Sequence, residues 1–114
     1  MVVHQLADRE VDRIFRALAD ATRRDIFERV IGHGLSVSSL ANDYEMSFAA
    51  VQKHVSVLER ASLVIKERHG REQIVHGNVA TLRRATALLE AFEGIWIGRA
   101  ARIAEILGEE GSEE

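Results

Sequence analysis

Ser47, Phe48, Ala49, Gln52, Lys53 and Ser56 have the types and spacing for contact with the edges of stacked bases. On a helix, positions 48, 49, 52, 53 and 56 share one face. A glutamine amide pairs with adenine, a lysine reaches a guanine edge or a phosphate, and a phenylalanine presses against a thymine methyl. Small side chains at Ala49 and Ala50 leave the backbone free to approach closely. A second set is cationic: Lys66, Arg68, His69 and Arg71 surround Gly70. Long cations on a protruding loop suit a minor groove or flanking phosphates. Arg23 and Arg24 fit either a further phosphate clamp or surface ion pairs. His54 lies beside an apolar stripe and reads as a packing or hydrogen-bonding residue rather than a base reader.

The elements that must position these groups follow from periodicity. Residues 8–19 read as a helix, with Val11, Ile14, Phe15 and Leu18 at helical spacing. Asp20 is a cap for a second helix, whose Ile26, Phe27, Val30 and Ile31 face inward and which Gly32-His33-Gly34 ends. Ser36 or Ser38 caps a short helix, SSLAND, that buries Leu40 and Ala41. After the turn Tyr44-Glu45-Met46, Ser47 caps FAAVQKHVSVLERAS, buried through Val51, Val55, Leu58 and Val57. A strand starts at Leu63-Val64-Ile65, His69-Gly70 forms the hairpin tip, and Gln73-Ile74-Val75-His76 returns. Residues 79–107 form a long helical stretch in which Gly94 and Gly98 mark a bend or a close crossing. The expected class is mainly α with a small β-hairpin wing (α+β), a winged helix-turn-helix.

Composition agrees with one domain over residues 1–108 and an acidic disordered tail over 109–114. The chain has 114 residues, 46% of them hydrophobic, and a formal charge of -3. Four of the 18 acidic side chains sit in 109–114, which leaves 14 acidic against 15 basic before them. A weakly acidic total is compatible with double-stranded DNA as partner, because attraction depends on where charge is displayed. There is no cysteine, so disulfides and thiolate metal sites are excluded. No apolar run reaches the roughly 20 residues that span a bilayer, no secretory signal is present, and the cytoplasm is the expected location. The first and last helices carry more apolar surface than a three-helix head needs. Val11, Ile14, Leu88, Phe92, Ile95 and Trp96 are therefore expected at a homodimer interface, with half-sites one helical turn apart, roughly 34 Å.

Three segments together resemble the ArsR/SmtB family of winged-helix transcriptional repressors. FRALADATRRDIFERV is similar to the family's opening signature, with Ala21 at the usual proline. LSVSSLANDYEMSFAAVQKHVSVLERASLV follows its helix-turn-helix, with Ser62 at the usual glycine, and IKERHGREQIVHGN fits its wing. The resemblance implies that Ser47, Phe48, Ala49, Gln52, Lys53 and Ser56 read DNA, that Arg68 and Arg71 are wing contacts, and that homodimers form through the first and last helices. It does not bring a metal sensor with it. LSVSSL has no cysteine where thiolate sensors have theirs, and the last helix has Glu90, Glu93 and Glu105 but no histidine. His4, His33, His54, His69 and His76 are scattered without metal-ligand spacing. The expected function is a metal-independent, sequence-specific homodimeric repressor of an inverted-repeat operator, without a cofactor. The signal that relieves repression is open between a small organic molecule, a protein partner and the amount of the protein itself. The alternative is a winged-helix protein-interaction module. No nucleophile–base set or phosphate loop supports an enzyme.

Overall fold

The computed structural model describes residues 8–112, so His4 and the final two glutamates lie outside the described residues. The elements are α1 (Asp8–Leu18), α2 (Ala21–Val30), β1 (Leu35–Ser36), α3 (Val37–Asn42), α4 (Phe48–Arg60), β2 (Val64–His69), β3 (Glu72–Gly77) and α5 (Val79–Ser112). They fall into two compact units, Met1–Arg84 and Ala85–Glu114.

The first unit holds the core. Ile14 and Ala17 of α1, Ile26, Phe27 and Val30 of α2, and Leu40 of α3 are buried with Val51, Val55 and Leu58 of α4. Leu63, Val64 and Val75 cover the same core from the sheet side. Spacings of three and four along each helix place these residues in one stripe, and their removal from water is the main stabilising contribution. Ile31, expected inward, is 37% exposed. Its backbone instead meets Gly77, where an added Cβ would come 2.8 Å from the Ile31 Cα.

Three caps start three helices. Asp20 accepts from the Arg23 amide at 3.0 Å, Ser36 from the Ser39 amide at 3.0 Å, and Ser47 from the Ala50 amide at 3.1 Å. Between the two serines considered for α3, Ser36 has the extended backbone of an N-cap. The Arg23 amide holds the Asp20 carboxyl below its ordinary range; partial burial opposes this, and the His54 and Arg23 charges add to it.

Ser36 also belongs to a strand that the sequence pattern did not reveal. The sheet is antiparallel and three-stranded in the order β1-β3-β2, with Leu35 opposite Val75 and Ser36 opposite Ile74. In the hairpin, Val64 pairs with Gly77 and His69 with Glu72, so the tip is Gly70-Arg71, one residue beyond the expected position. Gly70 has φ 64°, as a two-residue hairpin turn requires. Alternation puts Val64, Lys66, Arg68, Gln73 and Val75 on the face toward the helices. Ile65, Glu67, His69, Glu72, Ile74 and His76 take the outer face.

Helix α4 ends in a tight reversal. The Ser62 amide donates to the Glu59 carbonyl at 2.9 Å and the Leu63 amide to the Leu58 carbonyl at 3.0 Å. This is the paired bonding of a Schellman motif, which needs a left-handed residue after the cap. Ser62 fills that position with φ 61°. Asn78 then locks the reversal to the start of α5. Its amide side chain donates to the Ser62 carbonyl at 3.0 Å and to Thr81 Oγ1 at 3.1 Å.

In the second unit, α5 continues through Gly94 and Gly98 as uninterrupted helix, with open space at both. It takes in 109–112, four of the six residues expected in a disordered tail. Leu89, Phe92, Ile95, Trp96, Ile97, Ile103, Ile106 and Leu107 are each more than half exposed.

Two outcomes are expected from the caps. Ser62→Gly relieves the left-handed strain and should stabilise the protein by about 1 kcal/mol, seen as a rise of about 4 °C in Tm. A carboxyl depressed on folding contributes stability that is present above its unfolded pKa and lost as the pH falls through the folded value. Asp20→Ala should therefore lower stability at neutral pH and flatten its decline below about pH 4, as measured by urea unfolding across pH.

Candidate nucleic-acid interface

The turn between α3 and α4 is held from α2. The Tyr44 hydroxyl donates to the Asp25 carboxylate, and the Arg29 guanidinium pairs with the Asp43 carboxylate. Arg29 also lies over the Tyr44 ring, 5.6 Å from its centroid. Burial, and then the hydrogen bond to Asp25, push the Tyr44 phenol up from its ordinary value, against the opposing pull of Arg29. With the turn fixed and Val51, Val55 and Leu58 fully buried, the opposite side of α4 must face outward.

That side carries the expected residues. Phe48 is 48% exposed, Ser47, Ala49 and Lys53 are exposed, and Gln52 and Ser56 are half-buried. The Ser47 hydroxyl accepts the Ala50 amide and keeps its own proton for donation. Phe48 and Gln52 meet Arg68 and Arg71 of the hairpin across a cleft of about 260 Å³. Val37, Ser38, Glu72 and Gln73 complete its lining. Lys53, Ala49 and Ser56 lie outside the cleft. Ser38 and Gln73 were missed in the sequence; Gln73 is opposite Arg68 in the ladder, so the hairpin register would have found it.

Other expected contacts are already engaged. Lys66 points toward α4 and pairs with Glu59 at 3.2 Å, which removes it from the displayed wing charge. His69 Nε2 is 3.4 Å from the Glu67 carboxylate. Arg23 is a staple inside the fold rather than a phosphate clamp. Its Nε donates to the Ala17 carbonyl at 2.7 Å, one terminal nitrogen to the Arg16 carbonyl at 2.9 Å, and the other to His54 Nδ1 at 3.3 Å. Arg24 donates to the Leu18 carbonyl at 2.8 Å. Arg23 at Ala17 and Arg24 at Leu18 satisfy carbonyls at the C-terminal end of α1, and Arg23 shares the Arg16 carbonyl with the Ala19 amide. His54 takes the hydrogen-bonding role expected of it. Ile14, expected at the dimer interface, is 1% exposed and spends its side chain in the core of the first unit. Val11 keeps partial exposure, and Phe15 is the open apolar residue of α1. Nor are the histidines all scattered, because Glu67, His69 and His76 bring ligand atoms within 4.8 Å of one another.

A short helix, a turn, a second helix with a free polar face and an arginine-bearing hairpin define a winged helix-turn-helix regulator. No family profile matches the chain. The HTH-type transcriptional regulator Rv2034 of Mycobacterium tuberculosis is 33% identical over 105 residues, covering 92% of this chain and 95% of that protein. The solved ArsR-like transcriptional regulator from Rhodococcus sp. RHA1 is 33% identical with a TM-score of 0.76, over 86% of this chain and 92% of that one. The ArsR family transcriptional regulator RHA00566 is 26% identical with a TM-score of 0.74, over 80% of this chain and 94% of that one. The chain belongs to the ArsR family of winged helix-turn-helix transcriptional regulators. It is a DNA-binding protein and not an enzyme. No helix among the described residues is long and apolar enough to cross a membrane.

The staple role of Arg23 has a measurable signature. Arg23→Ala should destabilise the fold by about 1–3 kcal/mol through unsatisfied carbonyls. The salt dependence of DNA affinity should stay unchanged, whereas loss of a phosphate clamp would reduce the slope by about one ion.

Proposed function

We propose that the protein is a homodimeric repressor that reads an inverted-repeat operator without needing a metal for recognition. The observation that carries this reading is the cleft in which Phe48 and Gln52 of α4 face Arg68 and Arg71 of the wing. In the proposed docking, α4 enters the major groove, Gln52 reads an adenine, and Ser47, Phe48, Ala49 and Ser56 shape the contact. Lys53 and the two wing arginines hold phosphates. Repression follows from occupancy, because a promoter covered by the dimer excludes polymerase.

Dimerisation is supported by α5. Its exposed apolar residues from Leu89 to Leu107 would leave an extended helix surface in water on a lone chain. A second copy supplies the same surface and buries both. Leu88, Phe92, Ile95 and Trp96 belong to that contact, with Val11 and Phe15 as contributions from α1. Recognition needs no metal because α2, the Ser47 cap and the buried stripe of α4 already orient the reading face.

Selection of bound sequences from a random duplex pool, with chelator present, tests the whole reading. An enriched inverted repeat is expected; a pool that stays random would overturn it. Against the selected operator, Gln52→Ala should cost about 1–3 kcal/mol and relax preference at one position in each half-site. Arg71→Ala should weaken operator and random DNA alike and reduce the salt slope by about one ion. Gel shift at several salt concentrations separates the two.

A further inference from the structure

We infer that the outer face of the wing is a site for a divalent transition-metal ion of the zinc class, held by Glu67, His69 and His76. Glu67 and His69 are two residues apart on β2, and His76 on β3 stands opposite Ile65, so all three side chains project from one face of the hairpin. Their ligand atoms lie within 4.8 Å of one another. Zinc–nitrogen and zinc–oxygen bonds of about 2.0–2.2 Å place tetrahedral ligand atoms about 3.3 Å apart. Small rotations of Glu67 and His69, both exposed, close that gap without moving the strands.

The ligand chemistry selects the ion. Two imidazoles and one carboxylate suit zinc and its neighbours rather than calcium or magnesium, which take oxygen ligands. Three protein ligands leave a fourth position for water or another donor. His69 Nε2 already sits 3.4 Å from Glu67 Oε2, so two of the ligands are turned toward each other. The third has space reserved for it. A Cβ at Gly34 would come 2.5 Å from His76 Cε1 and 2.8 Å from Nδ1, so only a glycine in the segment leading into β1 admits the ring as it stands. Lys66 and Arg68 take the other face, where Lys66 is neutralised by Glu59. An ion bound here sits on the outer face of the hairpin that carries Arg68 and Arg71, between the tip row of His69 and the basal row of His76, and not at the base-reading face of α4.

The test is made without DNA, so its result is separate from that of operator selection. Chelator-stripped full-length protein is titrated with Co²⁺ followed by visible absorption, then with Zn²⁺ in competition, while thermal unfolding is recorded with and without Zn²⁺. One ion per chain is expected, with ligand-field bands of low coordination number and a Zn²⁺-dependent rise in Tm. His76→Ala and Glu67→Gln should each weaken binding by at least about tenfold and abolish the Tm rise, while retaining the metal-free Tm. Gly34→Ala should weaken it as well by displacing the His76 ring. No stoichiometric ion in the unaltered protein, or an ion that binds equally well to the His76→Ala and Glu67→Gln variants, would overturn the proposal.

Discussion

The burial of one stripe of α4 is the constraint on which the other features depend. Val51, Val55 and Leu58 have no surface left to expose, and α1, α2, α3 and the sheet each contribute residues to the core that covers them. A helix with one face committed has no rotational freedom, so Phe48, Gln52 and Lys53 are aimed by what lies behind them. The two ends are fixed independently, by the Ser47 cap at the start and by the Ser62 reversal at the finish. Because β2 begins directly after that reversal, the wing takes its position from the same helix. Asn78, bonded back to Ser62, gives α5 its origin from the same point.

Much of this was legible in the residues. Cap types at Asp20 and Ser47 and the period of Val51, Val55 and Leu58 located the two helices that matter most. Periodicity identifies an apolar face but not its occupant. Spacing alone therefore points Ile14 toward a partner although the core of its own unit takes it, and turns Ile31 inward although its helix has already ended. The strand at Leu35-Ser36 is too short to alternate, and it exists only because β3 offers it an edge. The metal-ligand set was hidden by register. A hairpin tip at His69-Gly70 would set His76 opposite Leu63, two positions from where it stands, and out of reach of His69.

Charge is a poor guide until partners are known. The wing and its flanks are rich in cations, yet Lys66 is spent on Glu59, and Arg23 and Arg24 are spent on carbonyls at the end of α1. What remains displayed in the cleft is Arg68 and Arg71, beside Glu72. Such a modest field agrees with the near balance of charge in the whole chain. It places the burden of selectivity on the α4 face rather than on general attraction to phosphate.

The three-stranded sheet has a further consequence. Because β1 runs directly into α3 and is hydrogen-bonded to β3, and β2 begins at the reversal that ends α4, backbone bonds join core packing in setting the separation between α4 and the hairpin. In the proposed docking these two elements act as the fixed jaws of a caliper. A duplex whose groove width or bend does not match the gap must deform to fit, and the energy of that deformation depends on stacking at base steps the protein never touches. Two operators with the same contacted bases would then differ in affinity through the stiffness of their intervening DNA.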